Sequence, residues 1–322
     1  MKSRGVAGVL LGVAMLGLTG VHVGQASAAS GCGPVSISTV VPAPVPVLSW
    51  AENVGYDKAG NLWVSRTQQN VIDKYDPRGR HIGAVHIDAP GAVRLGPDGK
   101  MFANSGDSPA NMMPILPRQG RIVSFDPAGT SPAVRVVTRG LGMPNGLAVA
   151  DDGTMYVGDS RLGVVRVRRN GSIDQAWTAR APKNLAPNAT VNGTGMNGVV
   201  VLGDAVYVTM TSSLSGRVLR VPIKNPAAAT VAADLTAPIP GTLDDLVVLG
   251  KHTLAVTSAL GTVGVVNLAT GGICTVSTGH PLTSLARTPD GRSVVAGSED
   301  GSVLKLTGRI FGIPQRPTTG QP

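Results

Sequence analysis

Six stretches of this chain share one grammar, and that repetition constrains the fold more than any other feature. Residues 52–65, 91–104, 145–158, 197–209, 244–257 and 283–296 each run from a polar or small residue through an apolar strand, a turn that usually contains Gly or Asp-Gly, and a second apolar strand. After most of them comes a segment in which basic and apolar residues alternate, as in 163–168 and 216–222. Short strands separated by such turns indicate antiparallel sheet. The turn positions Gly60, Gly99, Gly153, Gly203, Gly250 and Gly291 lie about 39 to 54 residues apart, the length of a four-stranded propeller blade. An open solenoid would need a helix or a much shorter period. The expected fold is all-β: a six-bladed β-propeller of four-stranded antiparallel blades over residues 46–308. The 43 glycines and 24 prolines in 322 residues exclude a mostly helical protein and suit many short strands.

The flanking segments read differently. Lys2 and Arg4 precede an apolar stretch that ends in Ala26, Ser27 and Ala28. A basic start, a short apolar middle and a small-residue end make residues 1–28 a secretory signal peptide. No later apolar segment approaches the ~20 residues of a membrane span, so a secreted, extracellular protein is expected. Residues 29–45 read as an N-terminal segment and 309–322 as a loose tail. Export gives meaning to the two cysteines, Cys32 and Cys274. An isolated pair in an oxidising compartment is most simply one disulfide, tying the N-terminal segment to the last blade. The small residues before Cys32 leave lipid attachment there as the rival.

Net charge is +9, from 28 basic and 19 acidic residues. The basic residues are scattered and aromatics for base stacking are scarce, so no nucleic-acid partner is expected.

With the repeats in register, the residue opening the innermost strand is Glu52, Gly91, Asn145, Asn197, Asp244 and Thr283 in turn. Inner strands line a propeller's channel, so these side chains converge on one axis. Four carry oxygen donors of the kind a hard cation takes, and two carboxylates balance the charge of Ca²⁺. Another divalent cation would also be accommodated. The competing reading makes Asn145-Gly146 and Asn197-Gly198 hairpin turns, and Asp244-Asp245 a capping or turn pair.

The run Pro144, Asn145, Gly146, Leu147, Ala148, together with residues 152–160, resembles the hallmark of the senescence-marker-protein/gluconolactonase propellers. The order Glu, Asn, Asn, Asp over blades one, three, four and five resembles the calcium sites of paraoxonases and diisopropyl-fluorophosphatase. This resemblance implies Glu52, Asn145, Asn197 and Asp244 as calcium ligands, with Asp245 as an adjacent site residue. It also implies a hydrolase acting on a small-molecule lactone or ester. Asp244 and Glu52 are then the candidate catalytic carboxylates, with Asp245, His280 and Thr283 as substrate-binding candidates. His280 precedes the blade-six strand, where an ordinary loop histidine is the alternative. The insert from Ser105 to Gln119 is too long for a tight turn and is a candidate lid, with inter-blade packing as the alternative. A monomer is expected. A non-catalytic binding propeller with structural calcium, and a lyase or condensing enzyme on the same fold, remain open alternatives.

Overall fold

The computed structural model describes residues 31–184, 190–236 and 242–312. The signal peptide read at 1–28, and the tail beyond residue 312, lie outside the described residues. The strands form six antiparallel sheets; five are consecutive along the chain with their first strand innermost, and the sixth combines the last three strands with the first strand of the chain at its outer edge. The inner strands are Asn53–Tyr56, Pro90–Leu95, Pro144–Val149, Gly193–Leu202, Leu243–Gly250 and Leu282–Arg287, for blades one to six. The six-bladed propeller follows from this order.

The core is divided among the seams between blades. Each of six apolar clusters joins two neighbours in the ring. Trp63, Ile72 and Val85 of blade one pack on Val93, Met101 and Phe125 of blade two. Leu249, Ala255 and Val265 of blade five pack on Leu285, Val294 and Leu304 of blade six. A single blade has apolar residues on both faces, so it buries them only between two others. That requirement closes the ring.

Closure begins earlier in the chain than the repeats suggest. Ser36–Val41 pairs antiparallel with Val303–Thr307 as the outer strand of blade six. The propeller therefore includes part of the segment 29–45 that the sequence reading left outside it. The buried Arg66 reinforces the seam, donating to the Ser49 and Gly301 carbonyls at 2.5 and 2.6 Å. Cys32 and Cys274 form a disulfide, with Cα atoms 5.4 Å apart. Cys274 lies on Ile273–Ser277, the outer strand of blade five. The bridge thus ties the N-terminal segment to blade five, beside the blade that segment completes, and not to the last blade. Replacing both cysteines by serine is expected to lower unfolding free energy by about 2–5 kcal/mol, because so long a loop opens. Denaturant unfolding measures it, and an unchanged midpoint would contradict a stabilising bridge.

Blade three departs from the four-strand expectation. Its sheet has three strands, and a short helix, Gln175–Arg180, follows where the fourth would run. Asp174 caps that helix by accepting from the Trp177 N–H, and it pairs with Arg166 and Arg168. Trp177 then packs edge-on against Tyr156. An N-cap aspartate followed by Gln, Ala and Trp favours a helical turn over another strand. Among the described residues no helix is long and apolar enough to cross a membrane.

Candidate functional site at the channel

Five of the six inner strands carry a slip in pairing register. The slips lie between Pro90 and Val93, Pro144 and Gly146, Met196 and Val199, Leu243 and Leu246, and Leu282 and Ser284. A bulge re-aims the side chain it carries. One sequence position in successive repeats thereby reaches the axis. Asn145, Asn197 and Asp244 sit inside these slips, and Glu52 stands just before the inner strand of blade one. All four line one cavity of about 560 Å³.

The Asn-Gly pairs are not hairpin turns here. A Cβ on Gly146 would lie 2.1 Å from the Asn197 carbonyl oxygen, and one on Gly198 would lie 2.5 Å from the Asp245 Cα. Glycine at these positions lets adjacent inner strands touch at the axis.

Hydrogen bonds join the cavity floor across blades. Asn145 Nδ2 donates to Glu52 Oε1 at 2.9 Å and to Asp107 Oδ2 at 3.1 Å. Asn197 Nδ2 donates to Thr211 Oγ1 at 2.7 Å. The opposing acceptors are left bare: Asn197 Oδ1 and Asp107 Oδ1 are buried without a partner. Among the described residues no protein donor reaches the Asp244 carboxylate. Burial pushes the Glu52 carboxyl up to about 7; the charges of Asp245 and Glu299 add to this, and the Asn145 hydrogen bond opposes it. Burial and repulsion from Glu52 push Asp107 and Asp244 well above the usual carboxylate range. Acceptors without donors, and carboxylates that disfavour each other's charge, make a floor suited to a cation.

Among the described residues no three His, Cys, Asp or Glu side chains group closely enough to hold a metal by themselves. The acceptors here are a mixed set, two inner-strand carboxylates and two amides, which is oxygen chemistry suited to Ca²⁺ and poor for zinc. In donor chemistry the residues fit the ion.

A pH dependence follows. Without a cation, folded Glu52 keeps its proton up to about 7, against 4.5 for the ordinary group. Between those values the unfolded chain has released a proton that the native chain retains, so stability falls as pH rises through the window. In chelator, the thermal midpoint is expected to drop from pH 5 to pH 8. A midpoint that rises over that range would contradict this electrostatic picture.

Three sequence candidates are not brought to the cavity. Asp245 faces away from its neighbour Asp244: its Oδ2 accepts from Arg94 Nη2 at 2.7 Å and from Asn53 Nδ2 at 3.2 Å. This buried cluster plugs the channel between the cavity and a second, largely apolar one of about 380 Å³ along Val54–Tyr56 and the equivalent strand segments. Thr283 shares the register position but donates to the Ala51 carbonyl at 2.5 Å and is fully buried. His280 pairs through Nδ1 with Asp300 Oδ2 at 2.6 Å, outside the cavity lining.

Other lining residues escaped the sequence reading. Asp107 and Glu299 add carboxylates, while Trp50, Pro109, Met112 and Met143 give apolar wall. Asp107, Pro109 and Met112 belong to the Ser105–Gln119 insert, which therefore forms part of the cavity wall. Asp107 has no counterpart in the repeat, so register could not find it; its place beside an overlong insert was the available signal.

The chain matches no protein-family model, and no curated protein matches it. Solved structures share its fold. A gluconolactonase from Xanthomonas campestris is 16% identical with a TM-score of 0.63, covering 88% of this chain and 92% of its own. A luciferin-regenerating enzyme is 13% identical with a TM-score of 0.61, covering 85% and 96%. A virginiamycin B lyase from Staphylococcus aureus is 12% identical with a TM-score of 0.58, covering 85% and 100%. At these identities the likeness shows the propeller fold alone, a fold that serves more than one chemistry; the count of six blades rests on this chain's own sheets.

Proposed function

We propose that this chain is a secreted, calcium-dependent hydrolase that opens a lactone or cleaves an ester on the floor of the channel cavity. The observation that carries the reading is the arrival of Glu52, Asn145, Asn197 and Asp244, from four blades, in one cavity with bare buried acceptors. These four residues would hold the ion. When bound, Ca²⁺ supplies Lewis-acid polarisation of the scissile carbonyl and balances the developing oxyanion.

The chain's own residues do the rest. Asp244 takes a proton from the attacking water or attacks directly, since no protein donor among the described residues competes for its oxygens. Asn145 holds Glu52 and Asp107 in place through its amide hydrogens. Trp50, Pro109, Met112 and Met143 exclude water and accept the apolar body of the substrate. The buried Trp50 Nε1 has no acceptor and can orient a substrate oxygen. Secretion is supported by the leader pattern of residues 1–28 and is consistent with the disulfide.

A panel of lactones, aryl esters and phosphotriesters, assayed with Ca²⁺ and with chelator, tests the proposal. Calcium-dependent turnover of a lactone or ester is expected. Calcium-dependent stability without turnover of any panel member would favour a binding propeller instead.

A further inference from the structure

Asp107 does not come from the inner-strand register that supplies the other floor residues. It stands on the insert after the blade-two strand Met101–Ser105, yet its side chain reaches the same cavity. Only 5% of it is exposed. One carboxylate oxygen is held by Asn145 Nδ2, and the other is buried with no partner. A bare buried carboxylate oxygen is costly unless a positive group meets it. Among the described residues no Lys or Arg pairs with Asp107. Of the groups around it, Asn145 offers one amide, Asp159 offers repulsion, and Glu52 offers repulsion or, when one of the two carboxyls carries a proton, a carboxyl–carboxylate hydrogen bond.

The backbone that presents Asp107 is fixed. Its N–H donates to the Ala89 carbonyl at 2.9 Å, and the Gly106 N–H donates to the Asp88 and Ala89 carbonyls. Gly106 has φ of 95°, in the left-handed region that favours glycine. Asn111 Nδ2 closes the turn onto the Gly106 carbonyl at 2.6 Å. Beyond this turn the insert has few buried contacts. Met113 and Ile115 are exposed, and the Arg161 guanidinium holds the stretch through the carbonyls of Asn111, Pro114 and Leu116.

Resting on the cation reading above, we propose that Asp107 is a further ligand of the same Ca²⁺, through its bare oxygen, and that the ion thereby latches the insert onto the channel. As the side chains stand, no three carboxylates among the described residues group closely enough to hold a metal, so binding has to draw the Asp107 carboxylate in toward Glu52 and Asp244. The insert wall, with Pro109 and Met112, becomes ordered when the ion is bound, so wall order and ion occupancy share one coupling free energy.

The test uses the mature chain stripped with chelator and titrated with CaCl₂ by calorimetry. Hydrogen exchange of peptides covering 106–119 is followed with and without the ion. Wild type is expected to bind one Ca²⁺ and to gain protection in that segment. Asp107→Asn is expected to keep one site, weaken it about 10- to 100-fold, and lose the calcium-induced protection even at saturation. If wild type binds no Ca²⁺, the cation reading falls and the latch falls with it. If wild type binds and Asp107→Asn matches it in affinity and protection, the latch alone is overturned. Should Asp107→Asn fail to fold, the wild-type exchange data decide: calcium binding with no change over 106–119 overturns the latch.

Discussion

Asp244→Asn is expected to lower turnover by about 10²- to 10⁴-fold, the range typical of removing a general base, while leaving the propeller folded. The side chain is 9% exposed, lies in the blade-five bulge and meets no protein donor among the described residues. Asparagine keeps its shape and one oxygen but removes the charge. In chelator the substitution also relieves repulsion among Asp244, Glu52, Asp245 and Asp107, so the calcium-free variant should unfold no earlier than wild type. Calcium affinity should fall at the same time. Glu52→Gln should behave similarly. Asn145→Ala and Asn197→Ala should weaken calcium binding more modestly, as each removes one neutral oxygen. Asp204→Asn is the control: its side chain is exposed and pairs with Arg220, so activity should be unchanged. Kinetics and calorimetry on the same preparations separate these effects. Full activity of Asp244→Asn at saturating calcium would remove the residue from the mechanism.

Asp245→Ala is expected to act on stability, by about 3–5 kcal/mol. Its carboxylate is 2% exposed and faces Arg94, which is 19% exposed. Asn53 and the Leu285 N–H also point at the same oxygen. These partners come from blades one, two and six, so one carboxylate holds three other blades to blade five at the axis. Removing it leaves a guanidinium in the channel without its counter-charge. Replacing both members, with Arg94→Met and Asp245→Leu together, should recover part of the loss, because no unpaired charge is then buried. Denaturant unfolding of the single and double variants measures this coupling. A single variant within 1 kcal/mol of wild type would show that the plug does not hold the ring.

Much of the fold was legible because propeller physics repeats itself in sequence. Each blade buries both faces against its neighbours, so the apolar runs recur, and glycine turns mark their ends. The four channel residues were legible for a related reason: a bulge at the same point of blades three, four and five carries one register position to the axis, and Glu52 holds the equivalent position just before the blade-one strand. Where an element occurs once, the signal fails. Ser36–Val41 completes blade six as a lone outer strand with no repeat beside it. Blade three replaces its fourth strand by a capped helix. Asp107 stands on an insert that no other blade has, and Glu299 follows a strand end. Asp245 illustrates a different limit. Successive strand residues face opposite ways, so the neighbour of a cavity residue was poorly placed to share its role, and the structure gives it to Arg94. Thr283 keeps the register but is too short to leave the backbone oxygen beside it.

The most direct measurement is the rate of lactone or ester hydrolysis against free Ca²⁺, with ion binding followed on the same preparation. Rate and occupancy are expected to rise along one saturation curve, with one ion per chain, and chelator is expected to abolish both. Hydrolysis that persists undiminished in chelator would contradict this expectation, as would full occupancy of the site with no turnover of any lactone or ester.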